Sequence, residues 1–160
     1  GPIWIEAFFD GGNHFVFNEM GYRFGGSLTY YPVRYFHGID QLGLMIDNAM
    51  NDHQTKSISP SQTASYCILP IHIRSGKITQ ISGWDEVHDR EDINAIVPVH
   101  YLNDEIQEWG SAQQVFCYLH IIYNTKEQLK HTVSEVLSNL QVFDEAGNNM
   151  LYPLFDINAI

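Results

Sequence analysis

The segment from Ile3 to Met20 constrains the fold more than any other. IWIEAFF at 3–9 and HFVFNEM at 14–20 are rich in aromatic and β-branched residues, and Asp10-Gly11-Gly12-Asn13 lies between them. Two apolar runs around a D-G turn predict a β-hairpin, because glycine takes positive φ without steric cost. A loop of two residues (Gly11, Gly12) or of four (Asp10 to Asn13) pairs Glu6 with Phe17, Phe8 with Phe15 and Trp4 with Glu19. Glu6 and Glu19 then share a face as diagonal neighbours, about 7–8 Å apart at the backbone, a gap long side chains can close. That face also carries Trp4, Phe8, Phe15 and Phe17. A three-residue loop would flip the parity and separate the two carboxylates.

Downstream, GYRFGGS at 21–27 reads as a Gly-rich loop, followed by a Tyr/Val-rich segment at 30–36. Leu42, Met45, Ile46, Ala49 and Met50 recur at helical spacing and predict a helix over 39–52. NDHQTKSISPSQ at 51–62 has few apolar residues and a proline, so it reads as a linker. Beyond it the pattern turns to β. ASYCILPIHI at 64–73 and residues 78–82 flank Arg74-Ser75-Gly76-Lys77 and read as a second hairpin, with further strands at 95–102 and 113–123. Thr125 and Gln128 form a capping box before the apolar stripe Leu129, Val133, Val136, Leu137 and Leu140, which predicts a helix over 126–140. A last pair of strands, 141–144 and 150–155, flanks Glu145-Ala146-Gly147-Asn148. The sum is an α+β protein, mostly antiparallel sheet with two main helices.

Charge and cysteine content remove whole classes of function. With 19 acidic and eight basic residues the formal charge is −11, and the basic residues form no run. Nucleic-acid binding needs a basic stripe that displaces counterions, so no nucleic-acid partner is expected. No apolar run approaches the about 20 residues of a membrane span, so no membrane partner is expected either. Cys67 and Cys117 sit in apolar strands without metal spacing; reduced thiols and a cytoplasmic location fit them. There is no HExxH. Asp85, Glu86, His88 and Asp89 read as a polar loop, His72 and His120 as structural strand histidines, and Trp84 and Trp109 as packing residues. Ser65 and Ser75 have no base at readable spacing.

Two carboxylates converging on one face suit Mg²⁺, which prefers hard oxygen ligands. Arg23 follows Glu19 by four residues in the Gly-rich loop, where a guanidinium can grip phosphate or carboxylate with two hydrogen bonds. IEAFFDGGNHFVFNEMGYRFGG, the 22 residues from Ile5 to Gly26, resembles the metal-binding hairpin of ATP-grasp enzymes. In that resemblance Glu6 and Glu19 match the metal ligands (Mg²⁺ or Mn²⁺) and Arg23 the catalytic arginine. Gly21 stands where many members have Asn. Asn18-Glu19-Met20-Gly21-Tyr22-Arg23 instead resembles the Asn-Glu-x-x-x-Arg version found in carboxyaminoimidazole ribonucleotide synthase. Gly25 and Gly26 resemble the loop that approaches substrate in amino-acid ligases, and with Asn18 and Glu19 they complete the implied ATP and substrate contacts. The later part of the chain looks like the small C-terminal lobe of biotin-carboxylase-like members.

The resemblance implies residues 1–55 as the C-terminal part of an ATP-grasp domain and 63–160 as a small α+β C-terminal lobe. It implies a ligase that activates a carboxylate with Mg-ATP for attack by an amine or similar nucleophile. The lysines and Gly-rich loop that hold the nucleotide in such enzymes have no counterpart here. The expected partners are therefore N-terminal ATP-grasp and substrate domains, with little activity expected from this chain alone. Gly1-Pro2 reads as the remnant of a cleaved tag, consistent with removed upstream sequence. A homodimer is compatible with the sequence. The competing expectation is a non-catalytic interaction or oligomerisation module derived from such an enzyme.

Overall fold

The computed structural model describes residues 1–26, 28–50, 63–108, 114–152 and 156–157. The linker at 51–62, Trp109 and the ends of the strands placed at 113–123 and 150–155 lie partly or wholly outside them. The chain divides into two compact units, Gly1–Gln62 and Thr63–Ile160.

In the first unit, β1 (Trp4–Phe9) and β2 (Phe15–Gly21) form the expected antiparallel hairpin. Its register differs from the sequence reading. Phe9 pairs with Phe15, Phe8 with Val16 and Ala7 with Phe17. Asp10 N–H reaches His14 O at 3.4 Å, so the turn takes three residues, and Gly11 and Asn13 both adopt positive φ. Phe15 and Phe17 therefore fall on the face opposite Phe8, and Phe15 stacks on Phe9 with ring centroids 4.9 Å apart. The 30–36 segment is α1 (Tyr30–His37), closed by Gly38 in the left-handed region. Then comes α2 (Gln41–Ala49), whose N-cap Asp40 accepts from Gly43 N–H at 3.0 Å. The expected apolar stripe of α2 is not buried: Ile46 is 60% exposed.

The second unit holds β3 (Ser65–Ile73), β4 (Gly76–Lys77), β5 (Gln80–Ser82), α3 (Trp84–His88), β6 (Ile93–Pro98), β7 (Glu105–Ile106), β8 (Val115–Tyr123), α4 (Lys126–Asn139), β9 (Gln141–Phe143) and β10 (Leu151–Tyr152). Its main sheet has the order β10-β3-β8-β6, all antiparallel. The expected second hairpin does not form. β3 spends its ladder on β8 and β10, and at its end Ile73 N–H bonds Gln114 O and Arg74 N–H bonds Met150 O, which leaves 78–82 no strand edge to join. β4 pairs with β7 instead, and β5 with β9. Strands β9 and β10 flank the 145–148 turn as read, and the chain is joined at its base by the Phe143–Asn149 bridge and by Met150 N–H to Val142 O at 2.7 Å. Leu69, Ile71 and Ile73 point with Cys117, Leu119 and Ile121 into a core closed by Leu129, Val133, Val136 and Leu140 of α4. Thr125 Oγ1 accepts from Gln128 N–H at 3.1 Å, while Gln128 Oε1 accepts from Asn124 N–H, so the capping box starts α4 as read.

The stretch read as a polar loop, Asp85, Glu86, His88 and Asp89, lies mostly in the short helix α3. Trp84 meets Phe116 edge-on at 5.7 Å and Val87 is buried; these two anchors bind a polar run to the core. The architecture is α+β and antiparallel as expected, with two short helices added to the two main ones.

A half-buried ion-pair knot ties the start of β6 to α4. Arg90 donates to both Asp92 oxygens at 2.8 Å and to Glu135 Oε2 at 2.5 Å, while Thr132 Oγ1 donates to Asp92 Oδ2 at 2.5 Å. Burial pushes the Asp92 carboxyl up, but the Arg90 and Thr132 hydrogen bonds and the Arg90 charge outweigh it, and the net shift is down. The native carboxyl thus holds its proton less tightly than the unfolded one. Its stabilisation is complete above about pH 5 and drains away as the pH falls through the ordinary carboxylate range and below. Asp92→Asn leaves Arg90 short of a charge and is expected to cost about 1–2 kcal/mol at pH 7, and less at pH 3. Urea unfolding at the two pH values checks this.

Candidate functional site

The three-residue turn taken alone would have placed Glu6 and Glu19 on opposite faces. They are nevertheless directly opposite each other, because the register shifts by one between Glu6 and Ala7. Asn18 is the extra residue on β2, a β-bulge that restores the parity the turn had broken. From there Glu6 pairs with Glu19, Ile5 with Met20 and Trp4 with Gly21. Directly paired residues have Cβ atoms about 4.5–5.5 Å apart, closer than the diagonal arrangement read from sequence. Asn18 Nδ2 donates to Glu6 Oε1 at 2.5 Å, which fixes one carboxylate beside the bulge. Like charges opposite each other destabilise a ladder, so this pair is a local cost that a bound cation would relieve.

Both carboxylates are exposed. Mg²⁺ is commonly held by one or two carboxylates with phosphate and water completing an octahedron, and Mn²⁺ accepts the same donors. No group of three or more His, Cys, Asp or Glu able to hold a metal occurs among the described residues. The pair therefore fits an ion shared with a phosphate ligand, not a closed protein cage.

Arg23 lies beyond the carboxylate pair. Its guanidinium carbon sits 4.8 Å from the Trp4 ring centroid, and Nη1 donates to Phe24 O at 2.9 Å. Among the described residues it makes no ion pair, so its charge is free to meet an anion. Gly21, opposite Trp4, explains the departure at that position. A Cβ there would touch Arg23 Cγ and Nε at 3.5 Å and the Trp4 ring at 3.7 Å, so a longer side chain would compete with Arg23 for the indole face. Gly25 is also tied to Trp4: a Cβ there would lie 3.1 Å from Trp4 Cδ1 and 2.6 Å from Thr29 Oγ1. Around Gly26 there is open space. The loop thus brings Arg23 and Gly25 to one indole, while a Cβ added at Gly26 would meet nothing within 4 Å.

Sequence reasoning missed Trp4 as the partner of Arg23 and Asn18 as the bulge. The signal for Trp4 was its i−2 spacing from Glu6. A bulge has no comparable signature in one sequence.

Burial sets the chemistry of the two thiols and of the strand histidines His72 and His120 in the second unit. Burial pushes the Cys117 thiol up to about 12 and raises that of Cys67, so neither offers a thiolate near neutral pH. His120 is fully buried, its Nδ1 3.0 Å from Tyr66 Oη, and burial lowers the pKa of His72. No helix among the described residues is long and apolar enough to cross a membrane.

No family model matches the chain, and no curated protein matches it. Solved structures do. An L-amino acid ligase from Bacillus licheniformis superposes with a TM-score of 0.67 at 22% identity, covering 91% of this chain and 36% of that one. A phosphoribosylglycinamide synthetase from Anaerococcus prevotii superposes with a TM-score of 0.68 at 16% identity, covering 89% of this chain and 37% of that one. The chain thus spans little more than a third of either protein. Both are ATP-grasp enzymes, and the fold of this chain is part of the ATP-grasp fold.

Proposed function

We propose that this chain is the C-terminal part of an ATP-dependent ligase that activates a carboxylate as an acyl phosphate, with Glu6 and Glu19 holding Mg²⁺ (or Mn²⁺). The observation that carries this reading is the direct pairing of Glu6 with Glu19 produced by the bulge at Asn18. A strand pays for two facing acids unless their charge is used, and a divalent ion is the simplest use. Glu6 and Glu19 would hold that ion, which would offset phosphate charge during phosphoryl transfer. Glu6 and Glu19 orient it, and Asn18 holds the Glu6 carboxylate in place.

Arg23 steadies the transferring phosphoryl group and the acyl phosphate that follows. A carboxylate oxygen of the substrate attacks the γ-phosphorus as the bond to ADP breaks. The amine then attacks the acyl carbon and phosphate leaves. Gly25 lets the loop close on Trp4 and Thr29, and Gly26 leaves the loop beyond it without a side chain for a substrate to meet.

Residues 1–55 would complete an ATP-grasp domain whose N-terminal half lies elsewhere, and 63–160 would form the C-terminal lobe. The exposure of the hairpin supports this. Phe8, Phe15, Phe17 and Met20 are each more than 60% exposed, and no described residue of the first unit is fully buried. An isolated two-stranded hairpin is marginal in water, so these faces call for a cover that the rest of an ATP-grasp fold would supply. The nucleotide and the amine are therefore expected to need domains beyond this chain.

Mg-dependent phosphate release by the full-length protein, measured over a panel of amino and hydroxy acids, tests the proposal. Release stimulated by particular acids supports the ligase and begins to name the substrate. A folded protein that releases none, yet binds a partner through the hairpin, would instead be a non-catalytic interaction module.

A further inference from the structure

We propose that Trp4 is a positioning residue that presents Arg23 to the reacting phosphoryl group; this deepens the ligase reading above and rests on it. Three independent placements converge on the indole. Trp4 pairs with Gly21 and lies two residues from Glu6, so its side chain starts from the same face as both carboxylates, two pairs along the ladder. Gly21 has no side chain to fill the space opposite, and the Arg23 guanidinium occupies it, 4.8 Å from the ring centroid. At Gly25 an added Cβ would lie 3.1 Å from Trp4 Cδ1, so the loop on both sides of Arg23 is gauged against one rigid ring.

Trp4 is half-buried, whereas Arg23, Glu6 and Glu19 are exposed. The platform is therefore the fixed member of the group and the cation the one that needs fixing. An unanchored arginine samples many rotamers. A flat π face limits it to orientations parallel to the ring and, apart from the Nη1–H on Phe24 O, leaves its N–H groups for phosphate oxygens. Anchoring by carboxylate would serve less well, because it would use the same N–H edges and cancel the charge.

The role is separable from mere support of the fold. Trp4→Leu removes the π face at similar apolar character, and Trp4→Phe keeps a smaller one. In the chain itself, the Arg23 Nε–H proton, assigned by its loss in Arg23→Lys, is expected upfield of a free arginine because of the indole ring current. Trp4→Leu should return it to the free position while the circular dichroism spectrum stays unchanged. In the full-length protein, Trp4→Leu is expected to lower kcat for acid-stimulated phosphate release about 3- to 30-fold with KM for Mg-ATP little changed, and Trp4→Phe to recover most of it. In an Arg23→Ala background Trp4→Leu should cost nothing further, since it acts through Arg23.

Losses that multiply independently in the double variant, or an Arg23 proton at the free position in the parent chain, would overturn the positioning role and leave the ligase reading standing. An upfield Arg23 proton in a protein that releases no phosphate with any acid would overturn the ligase reading, and with it the use of the platform in turnover.

Discussion

Glu19→Gln is expected to abolish acid-stimulated phosphate release, by at least about 100-fold, while the protein folds as well as the parent or slightly better. The two halves of that result have one cause. Glu6 and Glu19 face each other directly across the hairpin, and like charges in that position cost about 0.2–1 kcal/mol in the absence of a cation. Replacing one carboxylate with an amide of the same shape removes the repulsion and offers Glu6 a donor. The same change removes one of the two charged ligands proposed for the ion. Phosphate release and thermal unfolding, run on the same preparations, read both halves. A variant with parental release would show that the pair does not hold the ion. A variant that loses stability together with activity would show that the carboxylates support the hairpin and not the chemistry.

In the second unit the largest effect is expected from Gly83→Ala, a loss of about 3–5 kcal/mol. Gly83 caps α3 with φ +76°, and a Cβ there would sit 2.0 Å from the carbonyl oxygen of Asn139, 2.5 Å from its carbon and 3.0 Å from Leu140 N. These are backbone atoms at the end of α4, so no rotamer change can relieve the overlap. Either α3 lifts off, unseating Trp84 and Val87 from the core, or the end of α4 unwinds. Gly147→Ala provides the control. Gly147 has φ +78° but nothing within 4 Å of the added Cβ, so it carries the backbone strain without the collision and should lose only about 1 kcal/mol. For a unit of this size the difference amounts to a fall in Tm of more than about 8 °C between the two variants. Equal losses would mean that α3 and α4 do not approach so closely in solution.

Much of the fold was legible because it is local. The hairpin follows from two apolar runs around Gly11, and α4 from a capping box and a stripe. Both are decided by neighbours within a few residues, where propensity and periodicity act directly. The strand partners were not legible. Residues 64–73 and 78–82 look like a hairpin because a Gly-containing turn separates them, yet β3 pairs with the nine-residue β8 instead. That choice is made by the apolar area that Ile71, Cys117 and Leu119 bury together, which no short window contains. The helix α3 was hidden for the same reason, since its anchors Trp84 and Val87 have meaning only against Phe116 and the core.

The candidate site divides in the same way. Glu6, Glu19 and Arg23 were chosen from sequence because their types and spacing suit a divalent ion and a phosphate. Whether the carboxylates met was decided by the structure, since the turn closed in three residues and only the bulge at Asn18 brought them back to one face. Side-chain direction in a strand alternates with every residue, so a single unpaired position outweighs any pattern of residue types. The sequence by itself determined which groups were available for chemistry. Tertiary structure decided, through one extra residue in β2 and one indole opposite Gly21, that those groups stand together.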